Sequence, residues 1–515
     1  ISYLAERSEE YPGVYYGSKS VRNYPLGETM THILGYIGNI SQEEFEDKRA
    51  EGYRRNSMIG KEGVEQFYDR ELRGIDGYVQ WIVDSRNRVK ETISPAVGRP
   101  IPGKKLILSI DSKIQKDAED LLYGQVGTII VSRPTTGEIL AMVSAPWYDP
   151  NIFIGKIDRE KYVELINNPA NPFWNKAIRG RYPPGSTFKL ILSSGSLAEG
   201  RITANTTRFC GGGMWIENKF FKCTGQHGYI NMYRAIQYSC NTYFYTMAYE
   251  FGPNFIKKYA EIFGFNSTTG IDLPGEKIGV VPSADWKRRK IGEYWWDGDT
   301  LQYAIGQGYM STTPIAVHMA TSAIINDGVM YRPHVVKEIR SSQTDEVIYN
   351  NDKVVIKKLD IPQNVFTVVK EGMRMAVDGG TARNGAWSPY VKLAAKTSTA
   401  QTAQGKDHTW ITIFGPYNQR PTDDMVAVTV MLEHSGGGGG STAGPIATAM
   451  LRSILSGENA INVRNSIYNR MQLIYEQFRL QRELEALENS ESEKNEEEKD
   501  GKKSKREEDN RIKYE

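Results

Sequence analysis

Apolar residues fall in short runs along most of this chain, and the period of those runs changes in a definite order. Leu106-Ile-Leu-Ser-Ile110 reads as a strand, with Asp111 capping a helix that runs to Leu122. Apolar runs at 128–131 and 139–143 flank Pro134-Thr-Thr-Gly137, which predicts an antiparallel hairpin. Residues 186–330 carry mainly helical spacing, punctuated by glycine and proline. Strand-like segments return at 391–395, leading into Lys396, and at 425–432, ending on glycines 436–440. Strands, a helical block and strands again predict a sheet assembled from distant parts of the chain, with helices packed on it.

Ahead of Leu106 the pattern is more polar. Ser41-Gln-Glu-Glu44 is a capping box opening a helix, and Tyr78-Val-Gln-Trp-Ile-Val83 is a strand after the turn at Gly74 to Gly77. Residues 94–105, with prolines at 95, 100 and 102, form a hinge. Beyond the body, Ile467, Met471, Ile474 and Phe478 recur at helical spacing within 459–487, which predicts a final amphipathic helix. The charged segment after it holds one aromatic residue, Tyr514, and is expected to be disordered. The pattern therefore divides the chain into 1–105, 106–456, 457–488 and 489–515, without repeats at solenoid periods.

Composition supports several packed parts, since 39% of the 515 residues are hydrophobic. Lys and Arg total 64 against 62 Asp and Glu, so the whole chain carries only +2 and nothing global points to nucleic acid. Residues 483–515, with 13 acidic and 8 basic side chains, carry −5 of this and leave the body at +7. No run approaches the roughly 20 apolar residues a membrane helix needs. Because the numbering opens on Ile1, any signal peptide or anchor is expected upstream.

The sharpest chemical signal is Tyr182-Pro-Pro-Gly-Ser186-Thr-Phe-Lys189. Prolines and a glycine end an extended segment and Ser186 opens a helix, where backbone N–H groups favour developing negative charge. Lys189 lies three residues on, on the same helix face, and a desolvated lysine can take the proton of a serine nucleophile. An isolated S-x-x-K is usually a helix cap followed by a surface lysine. Here Ser239-Cys-Asn241 and Lys396-Thr397-Ser398-Thr399 follow in order, and that succession is the signature of penicillin-interacting serine enzymes.

The chain resembles the class B penicillin-binding proteins, most closely the elongation-type penicillin-binding protein 2 family. Ile59-Gly-Lys-Glu-Gly-Val-Glu65 and Tyr68-Asp-Arg-Glu-Leu-Arg-Gly74 are similar to the linker of the family's N-terminal pedestal. Ala145-Pro-Trp-Tyr-Asp-Pro-Asn151, Ile305-Gly-Gln-Gly308 and Asn326-Asp-Gly328 match further landmarks. The resemblance implies an α+β / α/β multidomain fold: a pedestal over 1–105, then a penicillin-binding transpeptidase domain with an antiparallel sheet, helices on both sides and a mainly helical subdomain. It implies that Ser186 attacks the penultimate D-Ala carbonyl of a peptidoglycan stem peptide, with Lys189 as its base. Asn241 would hold the lysine and the substrate amide, while Ser239 and Lys396 pass the proton toward the leaving group. Thr397 and Thr399 would receive the terminal carboxylate, and the Ser186 and Thr399 N–H groups would form the oxyanion hole. β-Lactams would acylate Ser186.

The implied partners are a SEDS-family glycosyltransferase of the RodA type and the scaffold proteins of the elongation complex. The implied location is the periplasmic side of the inner membrane, behind a single N-terminal anchor. One departure stands out: the family has Lys-Thr-Gly where this chain has Lys396-Thr397-Ser398. Residues alternate along a strand, so Ser398 is expected on the face of Lys396, where it either narrows the cleft or adds a hydroxyl.

The three cysteines, Cys210, Cys223 and Cys240, sit within 31 residues of one another, with His227 among them. Three thiolates and an imidazole are the donors of a closed tetrahedral Zn2+ site. Some members of the family carry zinc here on two aspartates, a histidine and the cysteine inside S-x-N. His227 and Cys240 match the last two, and Cys210 and Cys223 would replace the aspartates. A Cys210–Cys223 disulfide, or three separate thiols, also satisfies the spacing.

His32, His318 and His334 read as structural, and so do His408 and His434, which flank the late strands. The glycines at 436–440 read as a flexible turn, and Lys176, Arg179 and Arg181 as a basic rim suited to anionic glycan or simply solvated. Two rival functions remain. Another penicillin-interacting enzyme, such as a β-lactamase, would have no use for residues 1–105. A catalytically impaired scaffold that activates its glycosyltransferase would carry Ser398 as the mark of lost chemistry.

Overall fold

A computed structural model of the protein describes residues 21–484 with Tyr3 and Arg7, apart from 79, 86–88, 94–98, 156 and 403–404. Residues 94–98 of the expected hinge and all of the charged tail lie outside the described residues. The chain forms two compact units, 1–463 and 464–515. The described residues 464–484 of the second unit are helical, and Tyr475 and Phe478 on that helix are exposed.

The centre of the first unit is an antiparallel sheet of β1 (Gly127–Ser132), β2 (Ile139–Ala145), β3 (Ala394–Ala400), β4 (His408–Gly415) and β5 (Val426–Leu432), in the order β3-β4-β5-β1-β2. The hairpin β1–β2 is the one expected from Pro134 to Gly137. Strand β4 escapes the hydrophobic pattern for a physical reason. It is buried on both faces, so polar and apolar residues do not alternate along it, and Thr409 and Thr412 are as buried as Ile411 and Phe414. The strand expected at 391–395 begins at Ala394 instead, because the Val391 N–H donates to Ser388 Oγ (3.2 Å), and it runs on through Lys396 to Ala400.

Helices cover both sides. The helices α1 (Ser112–Leu122), α2 (Lys189–Ala198), α3 (Asn241–Phe251), α4 (Pro314–Ile325), α5 (Gln363–Gly379) and α6 (Ala443–Ser456) are among the longer ones. Helix α1 packs on β2, α6 on β4 and β5, α4 on β5 and β1, and α5 on β3. Every residue of α4 is buried, which marks it as a core helix rather than an amphipathic one. Its His318 bridges Ser132 Oγ (2.7 Å) and Thr429 Oγ1 (2.9 Å), and burial pushes its pKa down to about 3, a structural, neutral imidazole.

The block 186–330 is helical as expected except between Arg208 and Ile230. There, two short antiparallel pairs form, Arg208–Cys210 with Gly228–Ile230 and Gly213–Ile216 with Lys219–Lys222.

In the N-terminal part, Ser41 caps Gln42–Lys48 in the expected capping box, and Gln80–Val83 pairs with Val89–Ile93. The segment after Ile59 is fastened to the larger part by Glu62, which pairs with Arg179 (3.0 Å), and by Tyr68, whose hydroxyl donates to Asp272 (2.8 Å). Asp272 also accepts the Val335 and Val336 N–H groups at 2.7 and 2.9 Å. Two residues of the expected basic rim are thereby engaged internally, while Arg181 stays exposed. Arg179 is committed to Glu62, and Lys176 is buried with its ammonium on the carbonyls of Ala170 (2.7 Å) and Asn171 (3.4 Å).

Candidate active site

The segment Tyr182-Pro-Pro-Gly ends in a 3₁₀ turn, Gly185–Phe188, that places Ser186 ahead of α2 rather than inside it. Tyr182 exchanges backbone hydrogen bonds with Thr312, and the Gly185 N–H donates to the Gly306 carbonyl (2.9 Å). Gly306 must lack a side chain, since a Cβ there would fall 2.4 Å from the Gly185 carbonyl oxygen. The Ile305-Gly-Gln-Gly308 motif is thus the seat of the serine turn.

Lys189 opens α2 and is fully buried. Its Nζ donates to Asn241 Oδ1 (2.6 Å), the Ser239 carbonyl (2.7 Å) and Ser239 Oγ (3.2 Å). Burial lowers its pKa to about 8. Lys396, equally buried on β3, donates to the same Ser239 Oγ from the other side (2.8 Å) and to the Thr397 carbonyl (2.9 Å). Burial first, and then the charge of Lys189, hold Lys396 well below the ordinary lysine range. Ser239 joins the two ammonium groups from a left-handed backbone (φ 53°) between the helix Met232–Gln237 and α3, a conformation a non-glycine residue holds only under tertiary constraint.

Ser398 shares the face of Lys396, as the strand period requires, and its Oγ accepts the Ser186 N–H at 2.7 Å. On the opposite face Thr397 Oγ1 donates to Thr381 Oγ1 (2.7 Å). These groups line a cleft of about 480 Å³, together with Ser186, Thr399 and Gly438 to Gly440. The glycine run is a wall and not a free turn: a Cβ on Gly439 would lie 2.2 Å from the Trp410 carbonyl oxygen and 2.5 Å from that of Ser398. His408 and His434 stay off the cleft, their rings tilted against each other 4.5 Å apart, with the His408 ring also 5.4 Å from Tyr182.

Behind Ser239 and Asn241, the Sγ atoms of Cys210, Cys223 and Cys240 and a ring nitrogen of His227 all lie within 4.8 Å of one another. The three thiols are unpaired. His227 Nδ1 is 3.4 Å from Cys210 Sγ and 3.7 Å from Cys223 Sγ, and the sulfurs of Cys223 and Cys240 are 3.7 Å apart. A tetrahedral zinc with Zn–S of about 2.3 Å and Zn–N of about 2.0 Å sets its donors roughly 3.5 to 3.8 Å apart, so the group fits a metal of that kind. Without an ion, the close contact of Cys240 with Cys223 lowers the Cys223 pKa and raises that of Cys240. The cluster touches the cleft directly, because the Asn241 N–H donates to Cys223 Sγ (3.2 Å).

Sequence reasoning overlooked Thr381 and the pair Gly213–Ile216 and Lys219–Lys222, whose Lys222 carbonyl takes Asn241 Nδ2 (3.2 Å) and whose Phe220 and Phe221 line the cleft. No local motif marks them, since their roles depend on contacts across 16 or more residues.

A serine–lysine cleft walled by the edge strand of a helix-covered antiparallel sheet is the architecture of the serine acyltransferases that react with penicillin. Residues 127–452 match the penicillin binding protein transpeptidase domain, and residues 1–108 the penicillin-binding protein dimerisation domain. The chain is 33% identical to the peptidoglycan D,D-transpeptidase MrdA of Escherichia coli K12, over 89% of this chain and 75% of that protein, and 33% identical to the Haemophilus influenzae MrdA, over 88% and 72%. In structure it is similar to penicillin-binding protein 2 of Helicobacter pylori in complex with MreC (TM-score 0.77, 30% identity, 88% of this chain and 83% of that one). It is likewise similar to Pseudomonas aeruginosa penicillin-binding protein 2 in complex with WCK 5153 (TM-score 0.72, 33% identity, 86% and 91%). The chain belongs to the penicillin-binding protein family, in its penicillin-binding protein 2 branch.

Proposed function

We propose that the chain is a serine-type peptidoglycan D,D-transpeptidase that cross-links stem peptides through an acyl-enzyme on Ser186, in wall elongation and rod-shape maintenance. The observation that carries this reading is the Ser239 hydroxyl held between two buried lysine amines, at 3.2 Å from Lys189 and 2.8 Å from Lys396. Burial with no carboxylate partner disfavours the ammonium form, so these lysines take and give protons near neutral pH.

In the first half-reaction Ser186 Oγ bonds the penultimate D-Ala carbonyl carbon and its proton passes to Lys189. The C–N bond then breaks, and Ser239 with Lys396 returns a proton to the departing D-Ala amine. In the second half-reaction the amine of another stem peptide attacks the ester and frees Ser186. Asn241 orients Lys189 and the substrate amide, Thr397 and Thr399 hold the terminal carboxylate, and the Ser186 and Thr399 N–H groups receive the carbonyl oxygen. β-Lactams acylate the same serine.

Cys210, Cys223, His227 and Cys240 would hold Zn2+, which with four protein donors would supply structure rather than Lewis acidity. Held there, it would tie the Arg208–Ile230 segment to the turn that carries Ser239 and Asn241. The fit of four donor atoms within 4.8 Å supports it.

The division into a pedestal over 1–105 and a transpeptidase domain over 106–456 forms part of the reading, as does action on the periplasmic side of the inner membrane, where peptidoglycan lies. Among the described residues no helix is long and apolar enough to cross a membrane. Related structures, one a complex with MreC and one a peptidoglycan synthase complex that coordinates polymerization and crosslinking, support a scaffold protein and a SEDS-family glycosyltransferase as partners.

A second reading, the impaired scaffold, draws on the Ser398 hydroxyl lying against the Ser186 N–H. Intact-mass analysis after benzylpenicillin separates the two. The expected result is one benzylpenicillin per chain, absent from Ser186→Ala, and a folded chain that never gains the mass would sink the catalytic reading.

A further inference from the structure

The side chain at position 398 reaches the nucleophile's own backbone. Ser398 Oγ accepts the Ser186 N–H at 2.7 Å and donates to the Pro184 carbonyl at 3.1 Å. Ser398 is 3% exposed, so its hydroxyl is largely shielded from bulk water, while the Ser186 N–H it holds sits half-buried at the cleft. Glycines confine the residue on two sides. A Cβ on Gly185 would fall 2.2 Å from Ser398 Oγ, and a Cβ on Gly439 would fall 2.5 Å from the Ser398 carbonyl oxygen and 2.9 Å from its nitrogen. Strand β3 is therefore packed closely against the Gly439 loop at Ser398. Rotation of the Ser398 side chain about χ1 is the movement that frees the N–H.

We propose that Ser398 is a positioning residue that closes the oxyanion site of this enzyme on itself, its hydroxyl holding the Ser186 N–H until the side chain rotates and yields that donor to the incoming carbonyl oxygen. The inference rests on the transpeptidase reading above. During acylation by a β-lactam, Ser186 Oγ bonds the carbonyl carbon, the lactam C–N bond breaks, and the serine proton ends on the lactam nitrogen. Between those events the carbonyl oxygen carries negative charge and needs preorganised N–H donors. A donor already engaged must be released first, and giving up the two hydrogen bonds of the hydroxyl slows acylation about tenfold relative to a residue without one. The effect falls on the chemical step, because the groups assigned to carboxylate and amide recognition, Thr397, Thr399 and Asn241, are left as they were.

The test is the concentration dependence of benzylpenicillin acylation, which separates the pre-covalent dissociation constant from the acylation rate constant, on the full chain, Ser398→Gly and Ser398→Ala. Both variants are expected to acylate about tenfold faster, with a dissociation constant within about twofold of the parent and a melting temperature no higher. A side chain that mattered only for packing would lower the melting temperature without raising the rate. If all three chains form the Ser186-dependent adduct and neither variant is faster, the self-closure is wrong and the transpeptidase reading stands. A gain in Ser398→Gly alone assigns the effect to bulk rather than to the hydroxyl, and also overturns the proposal. An adduct on the variants but not on the parent supports the self-closure and overturns the catalytic reading of the parent, and no adduct on any of the three overturns both.

Discussion

The cleft and the joint between the N-terminal segment and the body both bury charge, but they do so in opposite ways. At the joint charges meet complements across the boundary: Arg179 lies on Glu62 (3.0 Å), and Asp272 collects Tyr68 and two backbone N–H groups. Lys370 inside the body follows the same rule, with Asp327 at 2.7 Å. In the cleft, Lys189 and Lys396 are as deeply buried, yet their hydrogen bonds go to hydroxyl, amide and carbonyl oxygens and to no carboxylate. A paired buried charge fastens, because separating it strands its partner. An unpaired buried amine is pushed toward neutrality and becomes able to move protons.

The pH dependence of acylation bears hardest on this contrast. With Lys189 held near 8 by burial, its neutral form, the base, is lost as pH falls below that value. The acylation rate is therefore expected to rise about tenfold per pH unit up to roughly pH 8 and to level off above it. A rate independent of pH between 5 and 8, measured by stopped flow, would show that the lysine is not the base. Removing the metal comes next. Dialysis against a strong chelator is expected to release about one zinc per chain, to lower acylation roughly tenfold through the slackened Ser239–Asn241 turn, and to lower the melting temperature. A metal-free chain with unchanged melting and acylation would remove the cluster from any role at the site. The smallest effect belongs to the joint. Tyr68→Phe deletes one hydrogen bond to a buried carboxylate and should cost about 1.5 kcal/mol in urea unfolding while leaving acylation unchanged. A change in acylation there would mean that the joint communicates with the cleft and is more than a fastening.

Much of this was legible in the chain before any coordinates. The β1–β2 hairpin announces itself through Pro134 to Gly137, α1 through Asp111, and the capping box through Ser41 and Glu44, because each is a local hydrogen-bonding pattern. Strand β4 was not legible, since burial on both faces erases alternation, and the glycines at 438–440 read as slack until the backbone of Trp410 and Ser398 was seen pressed against them. Arg179 and Lys176 look like surface charge in the sequence and turn out to be internal fastenings.

The sequence by itself determined the chemistry available: a serine and lysine one helical turn apart, a second serine beside an asparagine, a lysine on a strand, three thiols and an imidazole, and a hydroxyl where the family carries glycine. Residue type and short spacing are covalent facts and need no fold. Only the tertiary structure decided that Ser239 stands between two lysines 50 and 157 residues away, and that the Ser398 hydroxyl rests on the Ser186 N–H across 212 residues. Those separations are closed by burial of the sheet and its helices, and whether a hydroxyl meets an N–H or misses it depends on packing at a scale of tenths of an ångström, which no spacing along a chain encodes.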